Sequence, residues 1–240
     1  LSGDQYAGIE KCRNELLRLR TYYLDPRTAM RRAATPAEVE DIGVLGENIA
    51  PFLFRLRTER AKHFDAVVRT LRSLIPSVES VSVDLDKRRG TLDVVIRQGG
   101  IEYSSRIVSE GTLRVLALCA ITSNPWGGSV IAFEEPENGV HPRRVESIAE
   151  LLMAIAVHQN KQVIVTTHST LFCAAVWRLA KEQPGDVALL RVSQEEDGSR
   201  ITPFETADPL FSDSDIKEAL ASPGEDALLE GLLIRGLLDG

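Results

Sequence analysis

Two adjacent carboxylates, Glu134 and Glu135, directly follow the apolar run Val130-Ile131-Ala132-Phe133. A histidine, His168, follows a second run, Val163-Ile164-Val165, after two threonines. A carboxylate at such a place can hold Mg²⁺ directly or through water. A second one can orient and polarise an attacking water. A histidine nearby can hydrogen-bond a terminal phosphate. Ser109-Glu110-Gly111 precedes a third apolar run, and a Ser-x-Gly turn opening a helix offers backbone N–H groups and a positive dipole end to an anion. Taken singly, adjacent glutamates also fit a solvated loop, and a lone histidine fits a capping or packing role.

The elements that must position these residues can be read from the hydrophobic period. A loose apolar stripe (Ile9, Leu16, Leu19) predicts a helix over 4–20. Residues 21–45 are punctuated by Pro26, Pro36 and Gly43 and read as a connection, in which the Arg-rich stretch 25–36 is expected to be mobile. Helices are expected over 49–57, N-capped by Asn48, and over 61–75. The period then drops to 2: Val81, Val83, Leu85 and Leu92, Val94, Ile96 flank Lys87-Arg88-Arg89-Gly90, and a third short strand covers 101–107. This is an antiparallel meander. From residue 109 helices (110–122, 142–157, 169–180) alternate with strands (129–134, 161–167, 187–193). The strands at 130–133 and 163–165 are unbroken apolar runs, the mark of parallel strands covered on both faces. Alternating α and β elements of this kind form a doubly wound parallel sheet. Ligands of such sheets sit at the carboxyl ends of the strands, where Glu134, Glu135 and His168 fall. The tail reads as helical over 215–221 and 224–238.

Composition narrows the class. The chain has 240 residues, 43% apolar and 26% charged, as in an ordinary globular protein. Its longest apolar runs, Val115–Ile121 and Leu151–Val157, are too short to span a bilayer, and no signal peptide is apparent. Cys12, Cys119 and Cys173 are scattered. They form neither a metal-ligand spacing nor a disulfide framework, so a reducing, cytoplasmic setting is expected. Residues 1–114 carry 19 Lys and Arg against 16 Asp and Glu, and residues 115–240 carry 9 against 19. The basic residues of the front half read first as solvated faces; contact with nucleic-acid phosphates is the alternative. Asp213-Ser214-Asp215 precedes a helical run and reads as an N-cap sooner than a metal pair.

The motifs together resemble a known family. VIAFEEPENGVHP resembles a Walker B strand with its catalytic Glu and D-loop, VIVTTHS a switch-histidine strand, and IVSEGTLRVLAL the signature motif. LGENIAPFLFRLR is similar to the segment before the signature lobe. In order and spacing they resemble the ABC-type ATPase heads, in particular the AAA/ABC-like ATPases related to SMC, RecF and OLD-type proteins. The resemblance covers roughly residues 40–195. It implies a P-loop NTPase fold in its C-terminal portion, with ATP and Mg²⁺ as ligands. Glu134 then stands near Mg²⁺, Glu135 at the general base and His168 at the switch histidine. Ser109, Gly111 and Thr112 stand in the signature loop that meets the γ-phosphate bound by an opposite subunit, and Asn138 and Gly139 in the D-loop at the dimer seam. The Walker B acid is Glu in place of the commoner Asp, which bears on Mg²⁺ reach; Glu110, where many transporters carry Gly, argues against a transporter subunit.

One motif is missing. A P-loop reads G-x-x-x-x-G-K-[ST], and none of the six lysines here follows a glycine. With no initiator Met, the expectation is the C-terminal part of a longer ATPase whose Walker A lobe lies upstream. The expected organisation is 1–107 as helical segment plus meander, 108–195 as the α/β part with the motifs, and 196–240 as a helical tail. The expected partners are a second head, in a homodimer, and the Walker A lobe; nucleic acid or an effector protein is a further candidate, and a membrane is not. The resemblance implies a role in genome maintenance or phage defence. The alternatives are a non-catalytic nucleotide-dependent binding module and a metal-dependent nuclease using Glu134, Glu135 and Glu137.

Overall fold

A computed structural model describes residues 7–183, 185–195 and 198–203. The helices expected at 215–221 and 224–238, and Asp213-Ser214-Asp215, lie outside the described residues. The chain divides into two compact units, Leu1–Thr167 and His168–Gly240.

The first unit holds a parallel sheet and an antiparallel one. The parallel sheet has the order β1 (Arg20–Tyr22), β5 (Val130–Glu134), β6 (Gln162–Thr166). The antiparallel meander is β2 (Val78–Asp86), β3 (Thr91–Gln98), β4 (Ile101–Ser104). Their alternation works as expected: Val81, Val83, Leu92, Val94 and Ile96 are buried. Helices α2 (Ile49–Glu59) and α3 (Ala61–Leu74) cover that face. At the centre lies α4 (Glu110–Thr122), buried from Thr112 to Thr122 and packed against α2, α3 and α5 (Val145–Gln159). A helix apolar all round belongs inside a core. The helix α5 ends at Asn160, whose φ of +51° is a left-handed C-cap.

Four expectations for the first unit change in the structure. Residues 20–22, read as the last residue of a helix and the start of a connection, pair with β5 as β1; three residues are too few to show a period. Asn48 does not cap α2 with its side chain, although its carbonyl accepts from the Phe52 N–H at 2.9 Å. In the parallel sheet β5 buries Ile131 and Phe133, but β6 is an edge strand among the described residues and leaves Ile164 46% exposed.

The fourth concerns segment 25–36, which is anchored. The Asp25 carboxylate accepts from the N–H groups of Arg27, Thr28 and Ala29 at 3.0, 3.0 and 3.1 Å. Arg31 donates to the carbonyls of Pro26, Ser105 and Val108 at 2.7, 2.8 and 2.7 Å. Ala29 and Met30 are buried. Desolvation pushes the Asp25 carboxyl up, but the three N–H groups outweigh it and hold it below the usual carboxylate value. A depressed carboxylate contributes stability above its unfolded pKa of about 4 and loses it as pH falls through the lower folded value. The Tm difference between wild type and Asp25→Ala is therefore expected to be largest near neutral pH and to vanish in strong acid. A difference independent of pH from neutrality into strong acid would refute this.

The second unit has α6 (Thr170–Glu182) and a hairpin of β7 (Leu190–Glu195) and β8 (Gly198–Pro203). The strand expected at 187–193 as part of the parallel sheet thus pairs antiparallel with β8. Only Glu196 and Asp197 separate the two strands in sequence, too short a link for a parallel crossover. The remaining helix of the first unit, α1 (Ala7–Arg18), leaves Ile9, Leu16 and Leu17 exposed.

Candidate functional site

Chemistry gathers in the first unit at the carboxyl end of β5. Glu134 closes the strand, in register with Thr166, and is exposed. Glu135 leaves it with φ +44°, a left-handed conformation that costs a non-glycine residue about 1 kcal/mol. Hydrogen bonds hold it there. Its N–H donates to the Thr166 carbonyl at 2.9 Å, and its carbonyl accepts from the Asn138 N–H at 3.0 Å. Asn138 Nδ2 also donates to Glu135 Oε2 at 3.2 Å. The turn closes with the Val140 N–H on the Glu137 carbonyl at 3.0 Å and Gly139 at φ +72°. The carboxylate is thus presented on a rigid hook at the strand end.

The N-terminus of α4 abuts this hook. Ser109 is the N-cap: its Oγ accepts from the Thr112 N–H at 3.2 Å and lies 2.8 Å from Thr112 Oγ1. The N–H groups of Glu110 and Gly111, like the first in any helix, have no intrahelical acceptor. A Cβ on Gly111 would lie 2.8 Å from the Gly139 carbonyl oxygen and 3.6 Å from Val140 Cα. The structure therefore brings Ser109, Gly111 and Thr112 together with Glu135, Asn138 and Gly139. It also gives Gly111 a packing reason of its own, close approach of two backbones.

Residues 11–174 match the family described as AAA domain, putative AbiEii toxin, Type IV TA system. The chain belongs to this AAA family. No curated protein matches it in sequence. Among solved structures it is similar to an SMC head bound to the C-winged helix domain of ScpA, at 16% identity and a TM-score of 0.51, covering 79% of this chain and 56% of that one. A structure described under ATP-driven dimerization and DNA-stimulated activation of SMC ATPases matches at 16% identity and a TM-score of 0.49, over 71% of this chain and 98% of that one. The SMC head domain with a coiled coil and joint derived from Pyrococcus yayanosii matches at 17% identity and a TM-score of 0.46, over 78% of this chain and 33% of that one. The AAA domain thus has a mixed α/β fold of the P-loop NTPase type seen in SMC heads.

Two groups in this AAA domain's site were not singled out from sequence. Arg114, one turn into α4, is buried and donates from Nη2 to the Leu24 carbonyl at 3.1 Å and from Nη1 to the Glu135 carbonyl at 3.5 Å. Glu137, weighed only as a nuclease ligand, is buried and accepts from the Thr167 hydroxyl. Burial pushes the Glu137 carboxyl up and lowers the Arg114 guanidinium, and each charge partly offsets the other's shift. The signal was present: a charge amid Thr-Leu-Arg-Val-Leu, where an unpaired ion is costly.

His168 begins the second unit, directly after Thr167 in the chain. Ser169 next to it caps α6, accepting from the Phe172 N–H at 3.3 Å. His141, beside the D-loop stretch, caps a short turn at 142–144, its Nδ1 accepting from the Arg143 N–H at 3.3 Å.

The donor set tests which metal fits. Among the described residues no three His, Cys, Asp or Glu side chains converge on one point. Glu137 faces inward, so Glu134, Glu135 and Glu137 do not form the carboxylate cluster the nuclease reading needs. One exposed carboxylate at a strand end fits Mg²⁺, which commonly takes one or two carboxylates and completes its shell with substrate phosphates and water.

Gly111→Ala is expected to lower stability by about 1–2 kcal/mol, because the backbone clash outweighs the helix-propensity gain. Gly8→Ala in α1, where an added Cβ meets nothing within 4 Å, is expected to be neutral or stabilising. Denaturant midpoints compare the two; a Gly111→Ala chain as stable as wild type would refute the close approach.

Proposed function

We propose that the chain is the signature- and Walker B-bearing part of an ATP-hydrolysing head, in which Glu135 activates water. The observation that supports this reading most is the packing of a capped helix N-terminus, Ser109–Thr112, against the hook that presents Glu135. An anion-favouring dipole and a general base thereby share one strand end. In this reading Ser109, Gly111 and Thr112 meet the γ-phosphate of ATP bound by a second head, while Asn138 and Gly139 lie at the seam. Glu134 would hold Mg²⁺, which when bound offsets phosphate charge. Glu135 takes the proton of the attacking water at its carboxylate, and Asn138 Nδ2 orients that carboxylate. His168 hydrogen-bonds the γ-phosphate. Among the described residues no helix is long and apolar enough to cross a membrane.

The phosphate cradle itself must come from a Walker A lobe outside these 240 residues. Binding ATP closes two heads and hydrolysis opens them. The proposed role is in phage defence or DNA repair, and the family description names an AbiEii toxin of a Type IV TA system. The absent P-loop sequence favours the second reading, a nucleotide-dependent binding module without turnover. Phosphate release by the natural-length protein decides: ATP turnover abolished by Glu135→Gln supports hydrolysis, and turnover unaffected by that change refutes it.

A further inference from the structure

We infer that Arg114 and Glu137 are positioning residues: together they hold the Glu135 hook in its active geometry and tie it to the end of β6. The inference rests on the reading of Glu135 as the water-activating group, and goes beyond it by assigning what keeps that group in place.

Arg114 sits within a helix that is buried from Thr112 to Thr122 and is itself only 8% exposed. Its neighbours Leu113 and Val115 are fully enclosed, and an aliphatic side chain would pack there without the desolvation cost of a guanidinium. What the guanidinium does instead is reach out of α4 to two strand ends. It binds the Leu24 carbonyl, two residues past β1, and the Glu135 carbonyl, one residue past β5. The Glu135 carbonyl belongs to the one residue of this loop that is not glycine yet has positive φ. A left-handed residue persists where its surroundings over-determine it, and Arg114 is one of the groups that do so.

Glu137 supplies the complementary half. It is 7% exposed, feels the Arg114 charge, and takes the Thr167 hydroxyl at Oε1. Arg114 Nε and Glu137 Oε2 are both buried without a hydrogen-bond partner. Neither ion is therefore optimised for stability, which is what a positioning role allows. The connection runs from the first turns of α4, through Arg114, to the Glu135 hook, and from Glu137 to Thr167, the residue just before His168. A shift of α4 on meeting a second nucleotide would move the Glu135 carbonyl with it.

The test uses the natural-length protein and steady-state ATP hydrolysis. Arg114→Met is expected to lower kcat about tenfold or more while KM for ATP changes by less than about threefold. Arg114→Lys, which keeps charge but loses the fork, is expected to recover part of that loss. Glu137→Gln, which keeps an acceptor for Thr167, is expected to lose less kcat than Glu137→Leu. A folded Arg114→Met protein with wild-type kcat, or with raised KM at unchanged kcat, overturns the inference. If Arg114→Met does not fold, Thr167→Val decides: lost kcat restored in Thr167→Ser supports the tie, and wild-type kcat in Thr167→Val overturns it. Glu135→Gln is measured alongside. If it leaves turnover intact, the proposed function fails; if it abolishes turnover while the Arg114 and Thr167 variants do not, only the positioning role fails.

Discussion

Glu135→Gln in the natural-length ATPase is expected to trap an ATP-bound dimer, and Ser109→Arg to prevent one. The amide keeps the shape of the carboxylate and an oxygen to accept from Asn138 Nδ2, so the hook stays folded. It removes the base, a change worth about 10²–10⁴-fold in turnover for a general base. ATP binding and closure survive, and the closed state accumulates. Ser109→Arg acts on the other partner. It deletes the cap on the Thr112 N–H, at a cost of about 1 kcal/mol. The helix survives this, because α4 is buried from Thr112 onward and is held by packing. The long side chain, however, fills the space in front of the N–H groups of Glu110 and Gly111, where the proposed function places an opposite γ-phosphate. Ser109→Ala, which removes the cap without filling that space, separates the two effects. Sedimentation with and without MgATP reads the outcome. If Glu135→Gln and Ser109→Arg both stay monomeric in ATP, or both dimerise, the roles assigned to these two residues are wrong.

The 240-residue chain by itself is expected to show no ATP turnover above background. Positioning and electrostatics supply most of phosphoryl-transfer catalysis, and the backbone cradle that provides them is not in this sequence. Among the described lysines, Lys161 is the one whose pKa is lowered, by burial, and it precedes β6 at its amino end. Glu134 pairs with Thr166 at the other end, about 16 Å away at the rise of a strand. Phosphate release from the purified chain is the measurement. Turnover in the usual range of about 1–10³ s⁻¹, lost in Glu135→Gln, would show that the chain carries its own phosphate site.

The elements of this protein that depend on near neighbours were legible in the sequence. The meander, α2 to α6, and the strand ends bearing Glu134, Glu135 and His168 follow from period, apolar runs and caps. Ser109 is the clearest case: a cap residue, a helix former after it, and a hydroxyl on the N–H three residues on. These interactions span a few residues, so composition within a short window specifies them. What only the tertiary structure decided are pairings across long stretches of chain. The three residues of β1 become a strand because β5 offers them an edge. Segment 25–36 is anchored because Arg31 finds the carbonyls of Ser105 and Val108. Gly111 is needed where Gly139 passes over it, and Arg114 reads as a misplaced charge until the carbonyls of Leu24 and Glu135 meet it. A buried ion is tolerated only when distant partners satisfy it, and no local pattern names those partners.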